Sequence, residues 1–239
     1  MNNIIEILSL LETSDFRSDD GSRSSVSLLK GLTVSQIAEF QKRFPKPIPQ
    51  DIVELLMFSA GLEIPRFERI SFVGNLDFAF EEVSPLGIPL ATDGIGNFWL
   101  LDIEVESGRW GSVFFVSHDP PVLLLQAFSL RQFLNQILDC ARDGSNPFER
   151  IPQQTEKVYE PKITEKLVKD FGDKTNPELY DFVKKHSEQS IVIDLRKCSV
   201  GDGFTIDKEG FNSEIARFGS EMFFIIKLEK RRMFSWLFL

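Results

Sequence analysis

The hydrophobic period of this chain changes twice, and that change limits the fold more than any other feature. From Thr33 to Gly61 apolar residues recur at helical spacing, from Ile64 to Ala127 they come in short runs broken by Gly, Pro and Asp, and after Ser129 the helical spacing returns. Two helices, a sheet and a closing helix predict an α+β unit, with a mixed or antiparallel sheet flanked by helices.

Local punctuation refines this outline. Asn3 to Leu11 is an apolar helical patch, and the polar stretch Ser14 to Ser27 is expected to be a mobile loop. In TVSQIAEFQKRF, Thr33 and Gln36 have capping-box spacing, and Pro45 and Pro47 end the helix at Phe44. IPQDIVELLMFSAGLEI reads as a second helix with Pro49 at its first position, Asp51 against the positive end of the dipole, and Gly61 as a left-handed cap. FWLLDI and SVFFVS, joined by EVESGRWG, form the clearest hairpin, and Ser129 caps SLRQFLNQILDCA, whose apolar side chains fall on one stripe. Prolines and polar residues between Asp143 and Lys162 mark a boundary. The expected organisation is one domain over residues 1–145, a linker over 146–162 and a C-terminal α+β extension over 163–239. Within the extension, Ile163–Phe171 and Pro177–Lys185 read as helices and Ile191–Leu195 as a strand. MFFIIKL and MFSWLFL read as a hairpin around the basic turn EKRR, which needs a covering layer.

Composition removes several chemistries. With two cysteines and two histidines, a Cys₄ zinc site is impossible, and no metal or cofactor is expected. Cys140 lies beside an apolar stripe as a structural thiol, and neither His118 nor His186 is placed for a triad. DGIGNFW lacks the third glycine of a dinucleotide fingerprint and opens a strand. Asp93, Asn97 and Glu104 fall at calcium-loop positions, but Phe98 stands where the sharp turn needs glycine. No run is long and apolar enough to span a bilayer. The first residues lack the basic region and cleavage site of a signal peptide, so a cytoplasmic location is expected.

Charge is the remaining signal. Residues 1–150 carry 21 acids and 12 bases, while residues 151–239 carry 15 of each, so the whole net charge of −9 belongs to the first part. Asp77, Glu81, Glu82, Asp93, Asp102, Glu104, Glu106 and Asp119 fall within one segment whose only base is Arg109. Such a stretch disfavours nucleic acid and anionic lipid and draws in a basic partner over a Debye length of about 8 to 10 Å. Solubility alone explains the excess equally well. Carboxylate pairs among Glu81, Glu82, Asp93 and Asp102 are the one catalytic option, although nothing in the sequence selects a pair. Lys227, Lys230, Arg231 and Arg232 read as a solubilising cap on the tail hairpin.

The order of four pieces resembles the SMI1/KNR4 (SUKH) family, named for a fungal cell-wall synthesis regulator and common as immunity proteins in bacterial polymorphic-toxin systems. These are the proline-started helix IPQDIVELLMFSAGLE, the strand and Asp-Gly turn of IPLATDGIGNFWLLDI, the strand GSVFFVSHD ending in His-Asp, and the Ser-capped AFSLRQFL. Ala60 departs from the family's frequent Asn before the glycine, and the extension lies outside the resemblance. The resemblance implies a sheet flanked by helices and function by protein binding without turnover. Combined with the charge, it leads to the expectation of an immunity protein that neutralises a cognate, basic toxin domain such as a nuclease. The acids named above would form its interface, with Trp110 as an exposed aromatic anchor, whereas Trp99 reads as core. A regulatory scaffold in cell-wall synthesis and a carboxylate hydrolase are the alternatives.

Overall fold

Capping chemistry sets where the helices begin. The computed structural model describes residues 3–17, 23–64, 67–74, 83–146, 148–160, 165–206 and 213–228. α1 (Ile4–Glu12) and α2 (Val34–Gln41) each start at a closed capping box, Asn3 with Glu6 and Thr33 with Gln36. α3 (Gln50–Phe58) follows Pro49 and buries Ile52, Leu55 and Leu56. In α4 (Leu130–Asp143) the Ser129 side chain accepts from the Gln132 amide, and Gly144, in the left-handed region at φ 77°, closes the helix. Its expected stripe from Leu130 to Ala141 is buried.

Within Ser14–Ser27, where polarity predicts a mobile loop, the described residues form strands. β1 (Asp15–Arg17) pairs with β2 (Arg23–Ser25), and β3 (Ser27–Lys30) follows; residues 18–22 lie outside the described residues. β3 joins β4 (Ser59–Ile64) and β5 (Phe67–Ser71) in a three-stranded sheet of order β3-β4-β5. Gly61 is therefore a strand residue and not a helix cap. Its φ of 149° takes it through β4, where an added Cβ would lie 2.0 Å from the Ile70 carbonyl oxygen. Gly61→Ala is expected to cost about 2 to 3 kcal/mol, read from the urea midpoint at unchanged m-value.

β6 (Ile88–Thr92), β7 (Phe98–Ile103), β8 (Trp110–His118) and β9 (Pro121–Ala127) form an antiparallel meander that includes the expected hairpin. The stretch read as a linker contains α5 (Ile151–Val158). Where a helix was expected over Ile163–Phe171, the chain forms β10 (Glu165–Leu167) and a 3₁₀ turn at Val168–Asp170, because Glu165–Leu167 pair along β11 (Ile191–Asp194). Between them, Asn176 caps α6 (Pro177–Lys184). β12 (Gly203–Thr205) leaves the extension and adds to β9, giving the order β12-β9-β8-β7-β6. β13 (Ser213–Arg217) and β14 (Phe223–Leu228) complete a second sheet of order β10-β11-β14-β13. MFFIIKL is thus a central strand whose hairpin partner precedes it. β11 and β13 pair on its two sides, and MFSWLFL with EKRR lies outside the described residues. Every described strand pair is antiparallel.

Side-chain alternation stacks these sheets into layers. One face of the five-stranded sheet, with Trp99, Leu101, Val113, Phe115 and Leu124, packs under α1 and α4. The opposite face, with Phe98, Leu100, Phe114, Val116, Leu123 and Leu125, meets Ile193, Ile215, Phe224 and Ile226 of the second sheet. The outer face of that second sheet, with Val192, Phe223 and Ile225, is covered by Leu179 and Val183 of α6. Both sheets are buried on both faces, which accounts for the unbroken apolar runs in their strands. Among the described residues, no helix is long and apolar enough to cross a membrane.

Candidate functional site

The meander distributes the acidic segment over both ends of the sheet. Glu104 and Glu106 stand in the β7–β8 turn, whereas Asp93 in the β6–β7 turn and Asp119 in the β8–β9 turn stand at the other end. β8 is nine residues long, so about 26 Å separates the two ends, more than twice a Debye length. The eight acids read from the sequence as one interface are therefore not one patch. Asp77, Glu81 and Glu82 lie outside the described residues.

Asp102 is a correction of a different kind. It is 6% exposed, and its carboxylate accepts from both terminal nitrogens of Arg217, at 2.8 and 2.7 Å. An acid inside the run FWLLDI, all six residues of which are buried, is a core ion pair and offers nothing to a partner. Asp102 also fails as half of a hydrolytic pair with Asp93. About 13 Å of strand separates Phe98 from Asp102, beyond the roughly 5 to 10 Å that two glycosidase carboxylates need. Asp93 instead folds its own turn, accepting from the Ile95 and Asn97 amides and from the Asn97 side chain at 2.6 Å.

Trp110 is buried at 9% exposure, against the expected exposed anchor. Gly108, at φ 71°, and the pairing of Trp110 with Ile103 turn the indole back toward the core. Trp99 is core, as its strand position indicates, between Phe115 and Phe148 at ring separations of 5.1 and 4.8 Å.

Burial brings Trp110 into the wall of a groove of about 430 Å³. The groove lies where α1, α3 and α4 begin, with Asn3, Pro49 and Ser129 on its lining, and its apolar surface includes Ile5, Ile52, Leu55 and Leu130. Asp51 and Glu54 edge it on the α3 side, and Arg109 and Arg131 also line it. Glu104 holds Arg109 at 3.3 Å and accepts from the Ser107 hydroxyl. Glu106 accepts from the Ser220 hydroxyl at 2.5 Å, and this bond, with support from its own backbone amide, holds the carboxyl below its ordinary pKa and therefore ionised in mild acid. Of four carboxylates carried by these elements, Asp51 and Glu54 line the groove, Glu104 adjoins it through Arg109, and Glu106 is held by Ser220 in the turn between β13 and β14. The sequence showed two of them as partner-binding candidates. Asp51 and Glu54 read there as helix residues, and Arg131 carried a signal in its place at the start of a helix.

Among the described residues, no three His, Cys, Asp or Glu side chains gather as a metal site. Compared with known proteins, residues 31–136 match the model of the SMI1 / KNR4 family (SUKH-1). Searches of curated proteins and of solved structures gave no match.

Proposed function

Residues 31–136 being a stretch of the SMI1 / KNR4 family (SUKH-1), we propose that this chain acts inside the cell as an immunity protein, binding and neutralising a cognate toxin domain of basic charge. Family membership is consistent with such a role and with function through protein–protein contact. The observation that carries the reading is the groove end of the molecule, where a concave apolar surface is edged by Asp51 and Glu54, with Glu104 held beside it on Arg109. The acids at this end of the molecule speed the arrival of an oppositely charged partner, and the apolar lining then supplies buried contact. A nuclease toxin, basic because it binds phosphate, has the matching chemistry.

The test is to recover what the full chain holds in its source cell and to measure association with that protein. One tight basic partner is expected. Glu104→Lys with Glu106→Lys should slow association about tenfold or more at low salt, with a smaller effect at high salt. Tight binding indifferent to salt and to both reversals would remove the electrostatic part of the reading. Several weak partners in place of one tight partner would favour the scaffold role.

A further inference from the structure

Among the described residues, the groove holds one cation that no carboxylate pairs. Arg131 occupies the first turn of α4, where unpaired backbone N–H groups concentrate positive charge and an acid is the stabilising residue. That turn contains no acid. Among the three helices whose starts line the groove, α1 has Glu6 there and α3 has Asp51. Arg109 is engaged by Glu104, but among the described residues the half-buried residue Arg131 has no carboxylate partner. A local rule broken with no compensating carboxylate among the described residues points to compensation from a partner.

We propose that the groove receives a segment of the protein partner in which the side-chain carboxylate of an Asp or Glu adjoins a large apolar side chain. This rests on the reading that the chain binds a protein, and adds which contact fixes the partner's orientation. The carboxylate accepts from the Arg131 fork, a bidentate geometry that a point charge cannot reproduce. The apolar neighbour lies against Trp110, Ile52 and Leu55, which exclude water and strengthen the charged pair. Asp51 and Glu54 on the α3 side repel the same carboxylate and accept a base, so the segment fits in one direction only. A basic partner steered by acids such as Glu104 and Glu106 and held by a single acid of its own is consistent on both scales, because the long-range field sets arrival and the desolvated contact sets residence.

Two readouts that move in opposite directions test this. Arg131→Gln in the full chain should weaken the recovered partner about tenfold or more, while raising the melting temperature of the free protein by about 1 to 3 °C, because a cation leaves the positive end of a helix. Arg131→Lys should fall between Gln and wild type in affinity. A second measurement needs no natural partner: the capped peptide Ac-Ala-Leu-Phe-Glu-Ala-amide, titrated into the isotopically labelled full chain, should shift the Trp110 indole and Arg131 resonances, and its Gln counterpart should bind about fivefold more weakly. A lower melting temperature for Arg131→Gln, equal binding of the two peptides, or a partner that binds Arg131→Gln as it binds wild type would overturn the assignment. In the last case the protein-binding reading stands. Recovery of no protein by the wild-type chain overturns that reading itself, and the peptide pair then judges the groove alone.

Discussion

Arg217→Met is expected to cost about 3 to 5 kcal/mol of stability and to lower the melting temperature by on the order of 10 °C. The size follows from how completely the guanidinium is used. Besides its two bonds to Asp102, Arg217 donates to the backbone carbonyls of Val83, Ser220 and Glu221 at 2.8, 2.6 and 2.8 Å. These bonds engage all three of its nitrogens, and the side chains of the pair are only 6% and 8% exposed. Removing it strands a buried carboxylate and three carbonyls at once, and the penalty is mainly that of the groups left behind. Replacing both partners, Asp102→Leu with Arg217→Met, should therefore cost less than the two single changes added together, by about 1 to 3 kcal/mol of coupling. Arg217→Lys keeps the charge but offers a compact ammonium with three donors, so a loss between wild type and Met is expected. Urea unfolding of the four proteins closes the cycle; additive losses would mean that the pair does not act as a unit.

What the sequence reveals and what it hides divide along the range of the interactions. The Thr33–Gln36 box, the Ser129 cap, the β7–β8 hairpin and the buried stripe of α4 depend on residues a few positions apart, and all are legible in the sequence. Gly61 was misread because a glycine after an apolar helix has two uses, and only the approach of Ile70 from the neighbouring strand decides between them. Arg217 and Asp102 are 115 residues apart, so the sequence showed only half of the clamp, an acid among apolar strand residues, and surface charge was the natural interpretation. The acidic segment misled for a related reason. Charge that is contiguous along a meander returns to alternate ends of the sheet, so proximity in sequence does not make a surface patch. The groove was invisible because its walls come from the starts of three helices separated by more than 40 and more than 70 residues. The one local trace was Arg131, a cation at a helix start that favours an acid.

A chain cut after residue 145 is expected not to reach a stable fold, although it contains the whole family-matched segment. The sequence punctuation suggested that residues 1–145 form a domain, and this truncation is the direct test of that division. The side chains of Phe98, Leu100, Phe114, Val116, Leu123 and Leu125 form one face of the five-stranded sheet, and the layer that covers them belongs to residues after 190. At about 2 kcal/mol for each large apolar side chain returned to water, exposing that face costs on the order of 10 kcal/mol, comparable with the whole stability of a typical domain. The cut also removes β12, whose Phe204 pairs with Leu123 along the β9 edge, and it takes Arg217 away from Asp102. The exposed surface would then be an apolar sheet face beside an open strand edge, the combination that most readily recruits other chains. The expected result is an insoluble product, or a soluble one that binds a hydrophobic dye and lacks a cooperative unfolding transition, beside a full chain that unfolds in a single transition. A truncated protein that melts cooperatively near the full chain's temperature would show that the extension contributes little to the first sheet, and would restore the two-domain division.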